Sequence, residues 1–297
     1  MNGELLLAPL EDAGFLARLV PVSVLGGMKA WFGRLDRDSV IFTKYPSILH
    51  FSPPESMPGA SSLLLLAARS PAVRVGFTFD AGVKTFVIPP TYVNLDLRAR
   101  ADDVIQSALE NTQHRVERAG VPVKLLSAMG GLSRYGRNNI TYYPGLGSYV
   151  HLQAFFTTLP PVHGVVQPQM AEECASCRAC IKACPAGAIS ESSFVIDVKK
   201  CLTFYNEYIE PFPAWVDAKA HHCLMGCMRC QDICPMNKGN KDFVVDGPVF
   251  DAVETAAILA SAPLGSLSPA AVSRLEEIQF KDDYLVFARN LSIMVNA

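Results

Sequence analysis

The sequence predicts a mixed α/β or α+β chain that also contains a second, cysteine-rich domain. A strand, a long helix and a further strand are predicted in the first 165 residues, and this order is typical of an α/β layer. All nine cysteines lie between Cys174 and Cys234. Half of the 297 residues are apolar and 18% are charged, so the chain can bury one large core or two smaller ones.

Composition also limits the partners and the compartment. A net charge of -2 argues against a nucleic-acid scaffold held by bulk positive charge. The longest apolar run, residues 63–68, is far too short to span a membrane. Glu4 and Glu11 lie where a signal peptide would be apolar or basic. We therefore expect a cytoplasmic protein with no membrane partner, and in a reducing compartment clustered cysteines predict metal binding before disulfides.

The individual elements follow from local patterns. Residues 5–32 are apolar with scattered charges and predict one or two short helices. Residues 61–68 predict a fully buried strand, and residues 73–79 and 83–88 predict a hairpin around Gly82. Residues 95–119 predict a long helix that starts after Asn94 and ends at Gly120.

Three further elements complete this pattern. Residues 121–126 predict another buried strand, and residues 150–159 predict a strand that leads into a domain boundary at Pro160 and Pro161. Ser268 and Pro269 predict the cap and first residue of a helix. Residues 284–295 predict a second amphipathic helix, and both helices are expected to pack back on the core.

Residues 130–149, called here the glycine segment, have a different composition. They hold five glycines, two arginines, two asparagines and four tyrosines in 20 residues. Glycines let the backbone approach a ligand closely, and arginine and asparagine donate hydrogen bonds to phosphate, amide or carboxylate groups. The segment does not fit the phosphate-binding or dinucleotide-binding glycine motifs. A surface loop made of turn residues is the alternative interpretation.

The cysteine spacing predicts two [4Fe–4S] clusters. The pattern Cys-x2-Cys-x2-Cys-x3-Cys-Pro is followed by Cys-x2-Cys-x3-Cys-Pro, and in such repeats the cysteine before each proline binds the other cluster. One cluster would take Cys174, Cys177, Cys180 and Cys234, and the other would take Cys184, Cys227, Cys230 and either Cys201 or Cys223. Zinc is the alternative, since cysteine pairs at this spacing also form tetrahedral sites. His221 and His222 are expected to be ordinary polar residues.

Several motifs of the chain are shared with one family. They are Pro58-Gly-Ala-Ser-Ser, Gly131-Leu-Ser-Arg-Tyr-Gly136-Arg137-Asn138, Gly147-Ser148-Tyr149, Phe155-Phe-Thr-Thr-Leu-Pro160, Lys200-Cys201-Leu-Thr-Phe-Tyr, Cys234-Pro-Met-Asn237 and Phe287-Ala-Arg-Asn290. With them, most of residues 55–297 resembles the epoxyqueuosine reductases and their relatives, the corrinoid-dependent reductive dehalogenases. The match of Cys201 to the isolated cysteine of the family implies that Cys201 is the eighth ligand and that Cys223 is a spare thiol.

The resemblance also implies a fold and a second cofactor. It implies a nitroreductase-like α/β domain at 1–165 that binds base-off cobalamin, a bacterial-ferredoxin-like domain at 166–240, and C-terminal helices at 241–297. The residues that would contact the corrinoid are Gly136, Arg137, Asn138, Asn139, Gly147, Ser148, Tyr149, Met236 and Asn237. The clusters would receive electrons from an external donor of the ferredoxin or flavodoxin type.

Two departures from the family limit what can be carried over. Residues 121–149 contain no Asp or Glu, so the general acid of the epoxyqueuosine reductases has no matching residue. Candidates for a proton donor or its basic neighbour are Tyr92, Arg134 and Tyr135, with Tyr142 and Tyr143 as further tyrosines. The helical repeats that the family adds for tRNA are not present in these 297 residues, which argues against a tRNA partner and for a small-molecule substrate.

Two main functions remain open at this point, and a third alternative is that the clusters serve a different ligand in the same crevice. The first is a cobalamin-dependent reductase in which two clusters deliver single electrons to a corrinoid that removes a halide, oxygen or similar group. The second is a non-catalytic protein that transfers electrons or binds and reduces a corrinoid for another protein. The size of the α/β region favours the enzyme, and the missing acid favours the non-catalytic role.

Overall fold

The computed structural model describes residues 3–35, 39–94, 96–192 and 195–297. The strands are β1 Phe15–Pro21, β2 Ser62–Arg69, β3 Ala72–Phe79, β4 Gly82–Ile88, β5 Val116–Arg118, β6 Arg134–Tyr135, β7 Thr141–Tyr142, β8 Val150–Thr157 and β9 Val244–Phe250. The helices are α1 Glu4–Asp12, α2 Val24–Phe32, α3 Val40–Lys44, α4 Leu97–Leu109, α5 Val123–Met129, α6 Ala179–Ala183, α7 Leu202–Asn206, α8 Arg229–Asp232, α9 Ala252–Leu259, α10 Pro269–Glu277 and α11 Tyr284–Asn296. The predicted mixed α/β class is confirmed.

The chain forms two compact units, and each is discontinuous in sequence. Unit 1 comprises residues 1–69 and 96–177, and unit 2 comprises residues 70–95 and 178–297. The hairpin β3–β4 belongs to unit 2 because β3 pairs with β9. The functional division into 1–165, 166–240 and 241–297 stays a prediction.

Unit 1 is built on an antiparallel four-stranded sheet in the order β1-β2-β8-β5. Strand β2 is buried along residues 62–68, which explains its uninterrupted apolar sequence. One core of the unit joins α1 and α4 to this sheet through Leu6, Leu10, Leu64, Ala101 and Phe155. The predicted strands at 61–68 and 150–159 are confirmed as β2 and β8.

Unit 2 contains a three-stranded sheet in the order β4-β3-β9. Strands β3 and β4 are antiparallel with Phe79 opposite Gly82, which confirms the predicted hairpin, and Gly82 has the positive φ of +111° that such a turn requires. Strand β3 is parallel to β9, and Phe77 stacks on Phe250 with ring centroids 5.2 Å apart. Phe287 of α11 completes this aromatic core, so the predicted C-terminal helix does pack on a core.

Three predicted elements in unit 1 are wrong in type or extent. Residues 15–21 are a strand and not helix, because they pair with β2 along seven consecutive residues. Helix α4 ends at Leu109, since residues 116–118 pair with β8 as strand β5. Residues 123–129 form helix α5 where a strand was predicted. A short apolar run fits a buried helix as well as a buried strand.

The predicted caps have mixed outcomes. Leu95, the first residue of the predicted long helix, lies outside the described residues. Asn94 does not cap that helix, because its side-chain Oδ1 accepts a hydrogen bond from Gln279 Nε2 at 3.1 Å, while its backbone N–H donates to Gln279 Oε1 at 3.1 Å. Ser268 caps α10 as predicted, since its hydroxyl accepts the Ala271 N–H at 3.0 Å. Among the described residues, no helix has the length and apolarity needed to cross a membrane.

Candidate functional site

The glycine segment is a buried hairpin and not the surface loop that its composition also allowed. Strands β6 and β7 pair with Arg134 opposite Tyr142 and Tyr135 opposite Thr141. Tyr135, Tyr142, Tyr143 and Tyr149 are all at most 7% exposed. Four large aromatic residues therefore anchor the segment inside unit 1, and Arg137, Asn138, Thr141 and Ser148 are buried with them.

Gly136 allows the tight turn of this hairpin. Its N–H donates to the Ile140 carbonyl at 2.7 Å, and Asn139 takes a positive φ of +60° in the turn. A Cβ on Gly136 would lie 2.5 Å from Cε2 of Tyr142 and 2.6 Å from Oδ1 of Asn138. Both atoms are held in place, because Asn138 Nδ2 donates to the Tyr142 hydroxyl at 2.9 Å. Only glycine fits at this position without displacing its neighbours.

A buried hydroxyl cluster links the hairpin to helix α5. Tyr143 donates to Ser127 Oγ at 2.7 Å, and Ser127 Oγ lies 2.6 Å from Ser133 Oγ. Thr141 Oγ1 lies 3.3 Å from the Tyr143 hydroxyl. Burial raises the pKa of Tyr143, although its hydrogen bonds oppose this effect. The sequence missed this cluster, because Ser127 belongs to a helix that was predicted as a strand.

The three catalytic candidates lie in different surroundings. Arg134 is exposed and pairs with Glu172 at 2.9 Å. Tyr135 is buried, and its pKa is raised by this burial and then by Tyr143, so its hydroxyl holds its proton more firmly than an ordinary tyrosine. Tyr92 belongs to unit 2, where its hydroxyl donates to Glu207 at 2.6 Å. Their catalytic roles stay predictions.

The glycine segment directly contacts the first cysteine of the cluster motif within unit 1. Tyr135 forms a backbone bridge to Met170, and Ala171 N–H donates to the Tyr135 carbonyl at 2.8 Å. The backbone N–H of Arg137 donates to Sγ of Cys174 at 3.4 Å, and its Nη2 donates to the Cys174 carbonyl at 2.9 Å. Arg137 and Cys174 are 9% and 8% exposed. A buried guanidinium therefore lies against the backbone of Cys174, and a backbone N–H points at its sulfur.

Three further cysteines interact with one another in unit 2. Burial is the largest cause of a rise in the pKa of Cys227 to about 12, and the Cys201 and Cys184 thiols contribute to this rise. Burial also raises the pKa of Cys201, with a smaller contribution from Cys184. These three thiols are therefore close enough to repel one another as thiolates. An iron–sulfur cluster that binds here must displace their protons, as cluster ligation requires.

Buried amides hold the segments that carry Cys201 and Cys227. Asn206, at the end of α7, donates to the Gly226 carbonyl at 2.7 Å. Asn290 of α11 donates to the carbonyls of Asn206 and Leu224 at 3.0 and 2.9 Å. Both asparagines are fully buried. These contacts join the helix after Cys201 to the turn before Cys227.

Cys223 is also close to Cys227 but is more deeply buried. It is 1% exposed, its backbone bridges to Val87, and burial followed by Cys227 raises the pKa of its thiol. Because both Cys201 and Cys223 lie close to Cys227, proximity does not show which of them is the eighth cluster ligand. The assignment of Cys201 stays a prediction. The neighbouring His222 accepts the Met228 N–H at 3.2 Å through Nε2. It stabilises the chain just after Cys227.

The remaining predicted corrinoid contacts lie in two turns. Gly147 has a positive φ of +58° and precedes the buried residues Ser148 and Tyr149 in unit 1. Met236 and Asn237 lie in the short 3-10 helix Pro235–Asn237 of unit 2, where Asn237 is buried and donates to the Gln231 carbonyl at 2.9 Å. Their role toward a corrinoid stays a prediction.

The nine cysteines are all free thiols. All nine lie in the described part of the chain, and none forms a disulfide. Among the described residues, no three His, Cys, Asp or Glu side chains converge on a position that could hold one ion.

Comparison with known proteins identifies the domain and the relatives. Residues 173–237 match the 4Fe-4S double cluster binding domain, so the predicted pair of clusters is confirmed. The chain is 29% identical over 147 residues to the epoxyqueuosine reductase of Bacillus subtilis, covering 50% of this chain and 35% of that protein. It is 34% identical over 117 residues to the enzyme of Bacillus anthracis, covering 39% of this chain and 30% of that protein. The matches thus span about a third of these relatives.

Solved structures show the same fold. The epoxyqueuosine reductase of Streptococcus thermophilus aligns with a TM-score of 0.65 at 17% identity, covering 99% of this chain and 81% of that one. An epoxyqueuosine reductase with an epoxyqueuosine-modified tRNA-Tyr stem loop aligns with a TM-score of 0.63 at 19% identity, covering 98% and 80%. The expectation that argued against a tRNA partner is therefore wrong, because relatives of this fold act on epoxyqueuosine and one holds a tRNA stem loop.

Proposed function

We propose that this chain, a relative of the epoxyqueuosine reductases that binds two [4Fe–4S] clusters, is a reductase whose clusters pass single electrons to a base-off corrinoid. The corrinoid, when bound, would supply a strongly reducing metal centre for removal of oxygen or halide from an organic substrate. The contact between Arg137 and Cys174 carries this proposal, since it joins the glycine segment to the cluster motif. A ferredoxin or flavodoxin-type protein would supply the electrons.

The donor chemistry of the glycine segment fits a corrinoid. The rim of a corrinoid carries amide side chains, which accept and donate hydrogen bonds like the protein backbone. Arg137, Asn138 and Ser148 place guanidinium, amide and hydroxyl groups in the interior of unit 1. Gly147 adds backbone without a side chain beside Ser148. We assign these residues of unit 1, with Gly136, Asn139 and Tyr149, to corrinoid binding, and the role of Met236 and Asn237 stays a prediction.

The reaction needs a proton source that the family motif does not supply. Replacing a halide by hydrogen consumes two electrons and one proton, and removing an epoxide oxygen as water consumes two electrons and two protons. Residues 121–149 contain no carboxyl group. We assign proton delivery to Tyr92 or Tyr135, with Arg134 as a basic neighbour of Tyr135. A phenol that delivers protons in each cycle must be reprotonated from solvent.

The substrate class includes modified RNA. The relatives in sequence are epoxyqueuosine reductases, and one protein of the same fold holds a modified tRNA stem loop. We therefore propose two substrate classes for the test, an epoxyqueuosine-containing stem loop and small organohalides or epoxides.

A non-catalytic role is the second candidate, and the missing carboxyl group between residues 121 and 149 favours it. In that role the clusters would reduce a bound corrinoid for use by another protein. The residues that bind clusters and corrinoid would be the same. Only turnover distinguishes the two functions.

One experiment tests both candidates. The protein is produced anaerobically with corrinoid supplied, and its visible spectrum and cobalt-to-iron ratio are measured. We expect about eight iron atoms and about one cobalt per chain, with the spectrum of a base-off corrinoid. Retention of the iron without cobalt would overturn the corrinoid proposal. Bound corrinoid without turnover of the stem loop, organohalides or epoxides would favour the non-catalytic role.

A further inference from the structure

Arg137 is a buried cation next to a cysteine of the cluster motif. Its guanidinium donates to the Cys174 carbonyl at 2.9 Å, and its backbone N–H donates to Cys174 Sγ at 3.4 Å. Both residues are less than one tenth exposed, so solvent screens this charge weakly. The same contacts that connect the glycine segment to the cluster motif therefore place positive charge beside one cluster ligand.

Positive charge and N–H···S hydrogen bonds have a known effect on iron–sulfur clusters. Reduction adds one electron to the cluster, and neither a bond nor a proton need be transferred. A nearby positive charge stabilises the reduced form more than the oxidised form, and hydrogen bonds to the sulfur ligands act in the same direction. The reduction potential therefore rises.

We propose that Arg137 raises the reduction potential of the cluster bound by Cys174, so that this cluster is the electron-accepting member of the pair. Arg137 acts through Cys174 and is a positioning residue in this sense. The other set of thiols includes Cys201 and Cys227, whose segments are held by the neutral amides of Asn206 and Asn290. Arg229 follows Cys227 by two residues, and its side chain is exposed, so solvent screens its charge.

This inference rests on the clusters of the proposed function and not on the corrinoid. The test is a potentiometric titration of the corrinoid-free protein, followed by electron paramagnetic resonance. A Cys174→Ser variant, which alters the spectrum and potential of one cluster, identifies the signal of the cluster bound by Cys174. Arg137→Gln removes the charge and leaves the backbone N–H in place. We expect the potential of the Cys174 cluster to become more negative while that of the other cluster stays unchanged.

Two variants keep the test decisive. Arg137→Lys retains a charge but loses the planar guanidinium, so its potential should lie between those of the wild type and Arg137→Gln. Arg134→Gln removes an exposed arginine three residues away, whose partner Glu172 precedes Cys174 by two residues. It should leave both potentials unchanged, because solvent screens the exposed charge.

Several results would overturn the inference. The first is that Arg137→Gln leaves both reduction potentials unchanged. The others are that Arg137→Gln shifts both potentials equally, or that Arg134→Gln shifts the potential of the Cys174 cluster as much as Arg137→Gln does. Loss of iron from both Arg137 variants would show that the residue only holds the site together. If only Arg137→Gln loses iron, the comparison rests on Arg137→Lys. An unchanged potential of the Cys174 cluster in Arg137→Lys would then overturn the inference, and a shift in the potential of that cluster alone would support it. Iron content and the two signals confirm separately that the clusters are present.

Discussion

The two parts of the cysteine region are held by different kinds of contact. In unit 1, Cys174 is next to a buried guanidinium and a backbone N–H that points at its sulfur. In unit 2, the segments of Cys201 and Cys227 are tied together by two fully buried asparagines. The first arrangement places a positive charge next to a cysteine of the cluster motif, and the second fixes the position of the backbone. The cysteine segments in the two units are thus held by chemically different contacts.

This difference predicts unequal consequences of mutation. Loss of charge at Arg137 should alter an electron affinity while leaving the fold in place. Loss of an amide in unit 2 should leave buried carbonyls without a donor, which destabilises the fold directly. Variants in each unit can therefore separate redox tuning from structural support.

The largest effect is expected from the eighth cluster ligand. Cys201→Ala should lose about half of the cluster iron, because one [4Fe–4S] cluster then lacks a thiolate. Cys223→Ala should keep all of it, although Cys223 is more deeply buried. Iron analysis of anaerobically purified protein provides the measurement. The reverse pattern would show that Cys223, which also lies near Cys227, is the ligand.

The next largest effect tests the amide support of unit 2. Asn290→Ala removes the donor from the buried carbonyls of Asn206 and Leu224. Each orphaned carbonyl costs about 1–3 kcal/mol, so we expect a loss of about 2 kcal/mol or more in the free energy of unfolding. Anaerobic denaturant titration measures this loss. Asn296→Ala, at the exposed end of the same helix, is the matched control and should change stability by less than half as much.

A smaller effect is expected at the turn of the glycine segment. Gly136→Ala places a Cβ against Tyr142 and Asn138, and overpacking of this kind costs about 1–3 kcal/mol. Gly59→Ala is the control, because nothing lies within 4 Å of the added Cβ. Unfolding of both variants by denaturant gives the comparison. Equal stability of the two variants would mean that the hairpin can shift, and Tyr142 would then not be held as tightly as its contacts indicate.

Local patterns in the sequence predict part of this architecture. The buried strands β2 and β8 and the hairpin β3–β4 follow from apolar runs and turn residues. Strand β1 could not be predicted, because its strand conformation depends on pairing with β2, about 45 residues away in sequence. Helix α5 was misassigned because the short run at residues 121–126, which it overlaps, does not distinguish helix from strand.

The site shows the same limit. The pair of clusters is predictable because cluster ligation imposes a short, regular spacing on the cysteines. The contact between Arg137 and Cys174 joins residues 37 positions apart, and that between Asn206 and Asn290 joins residues 84 apart. Nothing local encodes these partners. Their residue types are informative only after the fold brings them together.

The smallest effect concerns a buried histidine in unit 1. His151 is 8% exposed, and burial lowers its pKa to about 4, with further contributions from Arg98 and Arg118. The unfolded chain, with a histidine pKa near 6.5, takes up a proton before the folded chain does. The stability that the neutral His151 provides is therefore complete above about pH 6.5 and is lost as the pH falls toward 4. His151→Gln should thus flatten the pH dependence of unfolding, with a difference of about 1–2 kcal/mol between pH 7.5 and pH 5 relative to wild type. Denaturant titrations at both pH values measure this difference, and an equal loss at both would assign His151 to packing alone.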